Sequence, residues 1–269
     1  MIPKVIHYVW FGGNPLPEEA EKCIASWRQY CPDFIIKEWN EDNFPVDRFL
    51  YAREAYEARK WAFVSDVARL YALVNQGGVY MDTDVEVVAP LDEFLSLKAF
   101  SGFETESSVP TGIMACEKGH IFFQQLLREY EKDHFIDLNG NYNLTTNVSR
   151  ITNACVKNGL ILNNKKQEIC GLTLFPKDYF CPLNHTNGEL RITNNTHTIH
   201  WFAGSWKSES EREIHQIAID IRRHYPGTIG IVISVIYEML AKSIVIIKQD
   251  GMKHFIRRIK QHRKRNKHY

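Results

Sequence analysis

Two hydrophobic periods alternate over the first ninety residues. "KVIHYVWFGG" is a short apolar run ending in paired glycines, which predicts a buried strand closed by a turn. "PEEAEKCIASWRQYCP" changes to the helical period: Pro17 and two glutamates mark a start, and Ile24 and Trp27 share one face. "FIIKEWN" predicts a second strand. "FLYAREAYEARKWAFVSDVARLYALVNQGG" predicts helix with a break before Trp61; Phe63, Val67, Leu70 and Val74 form its apolar stripe, and Gly77 and Gly78 stop it. "VYMDTDVEVV" predicts a third strand interrupted by acids. The order β-α-β-α-β predicts an α/β domain with parallel strands, and such sheets hold ligands at the carboxyl ends of their strands.

From 100 to 200 the pattern is less regular. "HIFFQQLLREYEK" predicts an amphipathic helix, "NLTTNVSRITNACVKNG" a loop and a second helix, and "LTLFPKDYFCPL" and "HTIHWFAGSW" strand and loop pieces. From 208 the chain is predicted helical to its end. The division expected is a catalytic domain over 1–207 and a helical C-terminal extension over 208–269. In the last stretch Met252, Phe255, Ile256 and Ile259 are spaced i, i+3, i+4, i+7 with basic residues between them, the pattern of an interfacial amphipathic helix. The preceding "IGIVISVIYEMLAKSIVII" is apolar but interrupted by Glu238 and Lys242, which predicts a helix lying on a membrane or on the body, not a span.

Composition sharpens this in two places. The 269 residues carry a net charge of +1, yet from Lys248 to Tyr269 nine lysines and arginines face one acid, Asp250. An acidic body with a basic arm fits an anionic membrane surface contacted through residues 252–267. Nothing elsewhere supports nucleic-acid binding. The six cysteines show no CxxC spacing, which argues against a zinc ribbon or redox motif and predicts reduced thiols. The N-terminus lacks a secretory pattern, so the expected location is cytoplasmic, peripheral on the inner face of the plasma membrane.

The chemistry concentrates at "GGVYMDTDVEVV". On an extended segment residues i and i+2 point to the same side, so Asp82 and Asp84 are expected to converge. No basic neighbour neutralises them. A divalent cation would, since Mn²⁺ and Mg²⁺ take carboxylate oxygens together with substrate phosphates. The competing reading is a solvated turn.

Three blocks together, "IPKVIHYVWFGG", "WAFVSDVARLYALVNQGGVYMDTDVE" and "HWFAGSW", resemble the DxD-containing sugar-transferase family. That family includes bacterial capsule and lipopolysaccharide glycosyltransferases, yeast initiating mannosyltransferases and, more distantly, clostridial glucosylating toxins. The resemblance implies a GT-A fold, a Rossmann-like nucleotide-diphospho-sugar transferase, using Mn²⁺ or Mg²⁺ and a nucleotide-sugar donor, a UDP-sugar first, with retention at the anomeric carbon. The hexose or N-acetylhexosamine would pass to a lipid-linked or growing oligosaccharide of a bacterial surface polysaccharide. By the same resemblance Asp82 and Asp84 match the metal-binding pair, and Asp66 and Arg69 match a sugar-contacting pair. Their i, i+3 spacing puts that pair on one helical face, expected opposite the core stripe. Trp10 matches the residue that packs on the base; Tyr80 and, more weakly, Ser65 match the donor pocket. His200 matches a further metal ligand, and Ser205 and Trp206 match donors to the β-phosphate. Asn147 is the candidate amide toward the donor sugar.

Other readings compete with these roles. Asp66 and Arg69 alone would pass for an intrahelical ion pair, and Trp10 and Tyr80 for core aromatics. A haloacid-dehalogenase-type phosphatase also carries DxD after a strand, but wants Thr or Val where Glu86 stands. A catalytically dead sugar-binding scaffold is the third possibility.

Overall fold

The computed structural model describes residues 1–205 and 208–265, with side chains to 248 apart from 246. The described chain divides into two compact units. The first comprises 1–183 and 190–202, the second 184–189 and 203–269.

The first unit is built on a mixed sheet. In chain order its elements are β1 (Val5–Val9), α1 (Glu18–Tyr30), β2 (Ile35–Trp39), α2 (Leu50–Glu57), α3 (Trp61–Gln76), β3 (Gly78–Met81), β4 (Val85–Val87), β5 (Ala99–Gly102) and β6 (Ile113–Cys116). There follow α4 (Ile121–Glu131), α5 (Asn147–Lys157), β7 (Gln167–Ile169), β8 (Leu172–Phe175), α6 (Lys177–Phe180) and β11 (Thr198–His200), while the two-residue strands β9 (Leu183–Asn184) and β10 (Glu189–Leu190) each have one residue in either unit. Seven strands form the main sheet in the order β2-β1-β3-β6-β5-β8-β7. β1 runs parallel to β2 and β3, and β5 parallel to β8, while β6 is antiparallel to both β3 and β5. β3 and β5 therefore point the same way, and their carboxyl ends lie on one edge of the sheet. The α/β architecture matches the expectation, with β6 and β7 making the sheet mixed where parallel strands were expected.

Two apolar cores cover the faces of this sheet. One holds Val64, Val67, Leu70 and Leu73 of α3 with Phe123 and Leu126 of α4; the other holds Ile24 and Trp27 of α1 with Val79, Met81 and Phe180. Fully burying side chains of this size stabilises by about 1.5–3 kcal/mol each. The break before Trp61 is real: α2 ends at Glu57, and Arg59 adopts φ 54° before α3 begins. All six cysteines are free, as reduced thiols would be.

The aspartate segment departs from its expectation. "VYMDTDVEVV" is two strands, not one. β3 stays in the main sheet, while β4 turns away to pair antiparallel with β11. A turn spans Asp82 to Asp84, closed by the Val85 N–H donating to the Asp82 carbonyl at 3.0 Å. The Trp27 indole N–H, donating to the Val85 carbonyl at 2.7 Å, anchors its exit. Asp82 and Asp84 thus converge by a turn instead of by strand alternation.

The second unit is a helical pair, α7 (Glu209–His224) and α8 (Thr228–Arg265). Ser208 and Glu211 form a reciprocal capping box at the start of α7. Gly230 is required at the hairpin, where a Cβ would lie 1.8 Å from the Tyr225 carbonyl oxygen. The two charges that interrupt the apolar run are both paired: Arg222 reaches Glu238 at 3.0 Å, and Lys242 reaches Glu238 at 2.9 Å. The window Thr228–Val245, mean hydropathy 1.7, is long and apolar enough to cross a membrane by length and composition. The helix continues through the basic stretch, but the side chains of 252–267 lie outside the described residues.

Candidate active site at the carboxyl edge of the sheet

The last residue of β3 delivers Asp82 to the carboxyl edge, and the β4–β11 pair brings in the rest. Register pairs His200 with Val85, so the strand that carries His200 is fixed beside the aspartate turn. The Trp201 N–H donates to the Asp84 carbonyl at 2.9 Å, extending the seam by one residue. One ligand atom each from Asp82, Asp84 and His200 lie within 4.8 Å of one another. His200 Nε2 stands 3.2 Å from the Asp84 carboxylate. Burial opposes a charge on this imidazole, but Asp84 and the adjacent Cys181 thiol outweigh it and raise the His200 pKa well above the usual histidine range. Two carboxylates and one imidazole form a donor set that fits Mn²⁺.

A close approach fixes the histidine ring. A Cβ on Gly112 would lie 2.9 Å from both Cε1 and Nδ1 of His200. The Phe202 ring stacks on it at 4.0 Å between centroids. Gly112→Ala is therefore expected to displace the imidazole and weaken Mn²⁺ binding about tenfold, the equivalent of about 1.4 kcal/mol. Titration calorimetry with Mn²⁺ would check this, and unchanged affinity would refute the packing role.

Beside the aspartate turn lies a second charged group. Arg69 and Asp66 are 5% and 8% exposed, so they do not lie on a solvent face opposite the stripe as the sequence spacing suggested. The physical reason is that α3 is enclosed on both sides, leaving it no free face. The Arg69 guanidinium meets Asp66 at 3.3 Å and Asp82 at 3.4 Å, donates to the Thr111 carbonyl at 3.0 Å, and lies over the Tyr80 ring at 4.8 Å. Its Nη2 donates to the Ser65 hydroxyl at 3.2 Å. The Tyr80 hydroxyl donates to Asp82 at 2.6 Å. Burial works against the Arg69 charge, yet Asp82, Tyr80 and Asp66 hold its pKa raised. Burial pushes the Asp66 carboxyl up to about 7, against the pull of Arg69. The backbone N–H of Asn147, at the start of α5, also bonds Asp66. The Asn147 side-chain Nδ2 is buried with no hydrogen-bond partner.

The structure thus brings Ser65, Asp66, Arg69, Tyr80, Asp82, Asp84, Asn147 and His200 to one edge of the first unit. Trp10 stands at the end of β1 on the same edge, partly buried, its indole N–H donating to the Asn14 carbonyl at 2.6 Å. Ser205 belongs to the second unit, and Trp206 lies outside the described residues. Sequence reasoning missed the Thr111 carbonyl, Cys181 and Glu104. Glu104 follows "AFSGF", an apolar run whose strand direction the sequence alone does not establish.

Known proteins resemble this chain in sequence and in outline. Residues 17–101 match the family model described as glycosyltransferase sugar-binding region containing DXD motif. Inositol phosphoceramide mannosyltransferase 3 of Schizosaccharomyces pombe is 28% identical over 138 residues, which cover 50% of this chain and 38% of that protein. An uncharacterized glycosyltransferase, L373, of Acanthamoeba polyphaga mimivirus is 25% identical over 214 residues, covering 72% and 82%. The solved galactosyltransferase LgtC in complex with donor and acceptor sugar analogs overlays at a TM-score of 0.42 with 13% identity, covering 75% of this chain and 88% of that one. The chain spans less than half the length of the fungal relatives it matches. The aspartate turn and the helix carrying Asp66 and Arg69 both fall inside the segment, residues 17–101, that matches the family model of glycosyltransferase sugar-binding regions containing a DXD motif.

Proposed function

We propose that this chain is a retaining, divalent-metal-dependent glycosyltransferase that moves a hexose or N-acetylhexosamine from a nucleotide-diphosphate sugar to a lipid-linked or growing surface oligosaccharide. The observation that carries the reading is the convergence of Asp82, Asp84 and His200 within 4.8 Å at the edge where parallel strands end. In this reading residues 1–207 are the catalytic domain and 208–269 the extension.

Asp82, Asp84 and His200 would hold Mn²⁺ or Mg²⁺, which when bound neutralises the charge that develops on the departing diphosphate. The chain's own residues do the rest. Arg69 sits behind Asp82 and supplies fixed positive charge near the donor phosphates or sugar. Asp66 accepts hydrogen bonds from sugar hydroxyls, and the unpartnered Asn147 amide is free to donate to that sugar. Trp10 offers a flat surface for the base. The acceptor hydroxyl attacks from the leaving-group face: the acceptor oxygen–C1 bond forms, the C1–phosphate oxygen bond breaks, and the hydroxyl proton passes to the departing phosphate.

A UDP-sugar is the first donor to test. GDP-mannose comes next, because several of the similar fungal proteins are named mannosyltransferases. A melting panel of UDP-, GDP- and CMP-sugars with and without Mn²⁺ tests the reading. One donor is expected to raise the melting temperature only with the metal, since a ligand at a hundred times its Kd adds about 2.7 kcal/mol. Donor shifts that are identical without metal would defeat it.

The second unit supports a membrane role at the inner leaflet. Ile229, Ile231, Val232, Val235, Ile236 and Met239 of α8 are exposed, and the basic stretch follows on the same helix. We expect the full chain to float with vesicles of phosphatidylglycerol and phosphatidylcholine, not with phosphatidylcholine alone, and to be released by salt. Deleting 228–269 should abolish flotation; retention by neutral vesicles would exclude the electrostatic component.

A further inference from the structure

One carboxylate at the site has no role in the scheme above. Glu104 follows Phe103 at the carboxyl end of β5. That end lies on the same sheet edge as Asp82, because β3 and β5 both run antiparallel to the single strand between them, β6. Neighbouring strands are about 4.8 Å apart, so the two strand ends are separated by about 10 Å. The segment from Phe103 to Gly112 closes this gap. At its far end the Asp82 N–H donates to the Gly112 carbonyl at 2.8 Å, and Gly112 backs the His200 ring.

At the near end the backbone holds Glu104 in place. The Phe103 N–H donates to the Phe175 carbonyl at 2.9 Å, and the Glu104 N–H to the Ser108 carbonyl at 2.9 Å. The Ser108 hydroxyl donates to the Glu104 carboxylate at 3.4 Å, and Thr105 bridges to Ser108 across the turn. No lysine or arginine among the described residues pairs with Glu104. Its electrostatic neighbours are the site itself, His200 and Asp82, and burial raises its pKa. A partly buried carboxylate at this edge, with a weak hydroxyl contact as its one hydrogen-bond partner among the described residues, has lone pairs left for a ligand.

Resting on the glycosyltransferase reading, we propose that Glu104 is the acceptor-side residue of this site: its carboxylate accepts a hydrogen bond from the hydroxyl that attacks the donor sugar. Glu104 positions that hydroxyl and is not a nucleophile. The proton still goes to the leaving phosphate, and no bond forms to the carboxylate. Holding the attacking oxygen in line removes orientational freedom before the barrier, an effect that acts on turnover more than on donor binding. Water attacks through the same position when no acceptor is bound. Donor hydrolysis therefore reads the same contact, and the acceptor need not be known.

The test uses the full chain with Mn²⁺ and the donor selected by the melting panel, comparing wild type, Glu104→Ala and Glu104→Gln. Donor hydrolysis kcat is expected to fall tenfold or more in Glu104→Ala. Glu104→Gln should keep several times more activity, because its amide oxygen still accepts. Donor KM and Mn²⁺ affinity should stay within twofold in both. A parallel loss of Mn²⁺ affinity would overturn the proposal and make Glu104 a metal ligand; unchanged kcat in Glu104→Ala would overturn it outright. A wild type that neither binds nor hydrolyses any nucleotide sugar with Mn²⁺ would overturn both this assignment and the reading beneath it. Failure in the variants alone would leave that reading intact.

Discussion

Asp84→Ala is expected to abolish the metal-dependent melting shift and to lower donor turnover about a thousandfold. The reasoning runs through two contacts. Asp84 offers one of the three convergent ligand atoms, and it is the anion 3.2 Å from His200. Removing it deletes one ligand and also the carboxylate that holds the His200 ring at 3.2 Å beside it. A bound metal contributes several kcal/mol to developing charge, and 4 kcal/mol corresponds to about a thousandfold in rate. The fold itself should survive. Without its anion the buried imidazole sheds its proton and becomes an ordinary neutral core group, so the apo melting temperature should move little. A variant that keeps a full Mn²⁺-dependent shift would show that the ion binds elsewhere.

Arg69→Met is expected to have the larger effect on stability. The guanidinium is enclosed, and its planar fork serves Asp66, Asp82, Ser65 and the Thr111 carbonyl together. Removing one member of a buried charge set typically costs about 3–5 kcal/mol, since the partners stay behind uncompensated. Arg69→Lys should recover little, because a point charge cannot serve these directions at once. Urea unfolding would measure the loss, and a near-wild-type midpoint for Arg69→Met would exclude the proposed balance. A pH effect accompanies it. The folded state holds the Asp66 proton up to about pH 7, while an unfolded aspartate releases it near 3.9. This contribution to stability is therefore complete at acid pH and is lost as pH rises toward and through 7. In the wild type the slope should be negative over that interval, and Asp66→Asn should flatten it.

Much of this was legible in the sequence. The alternation of two periods located β1, α1, β2, α2, α3 and β3, and glycine and proline marked their ends. Two misreadings have definite causes. The aspartates were placed on a continuous strand because "VYM" and "VEVV" both read as extended. Periodicity cannot show that the two halves join different sheets, since that depends on β11, more than a hundred residues away. Asp66 and Arg69 were placed on a solvent face because charge usually faces water. They are buried because each satisfies the other and Arg69 also meets Asp82. Glu104 escaped notice because its meaning comes from the direction of β5, and only the antiparallel β6 between β3 and β5 establishes that direction.

The pairing of β4 with β11 also governs when the site can exist. Val85 and His200 are neighbours in space, but the ribosome delivers them more than a hundred residues apart. Contacts of such separation close late, after local structure has formed. A nascent chain ending before Thr198 could therefore pack its first helices and strands and still lack a cation site. Metal affinity would appear in a step as the last strand of the first unit docks. In the proposed metal-dependent enzyme the cation would then report completed folding, and peeling β11 away would release it without unravelling the sheet.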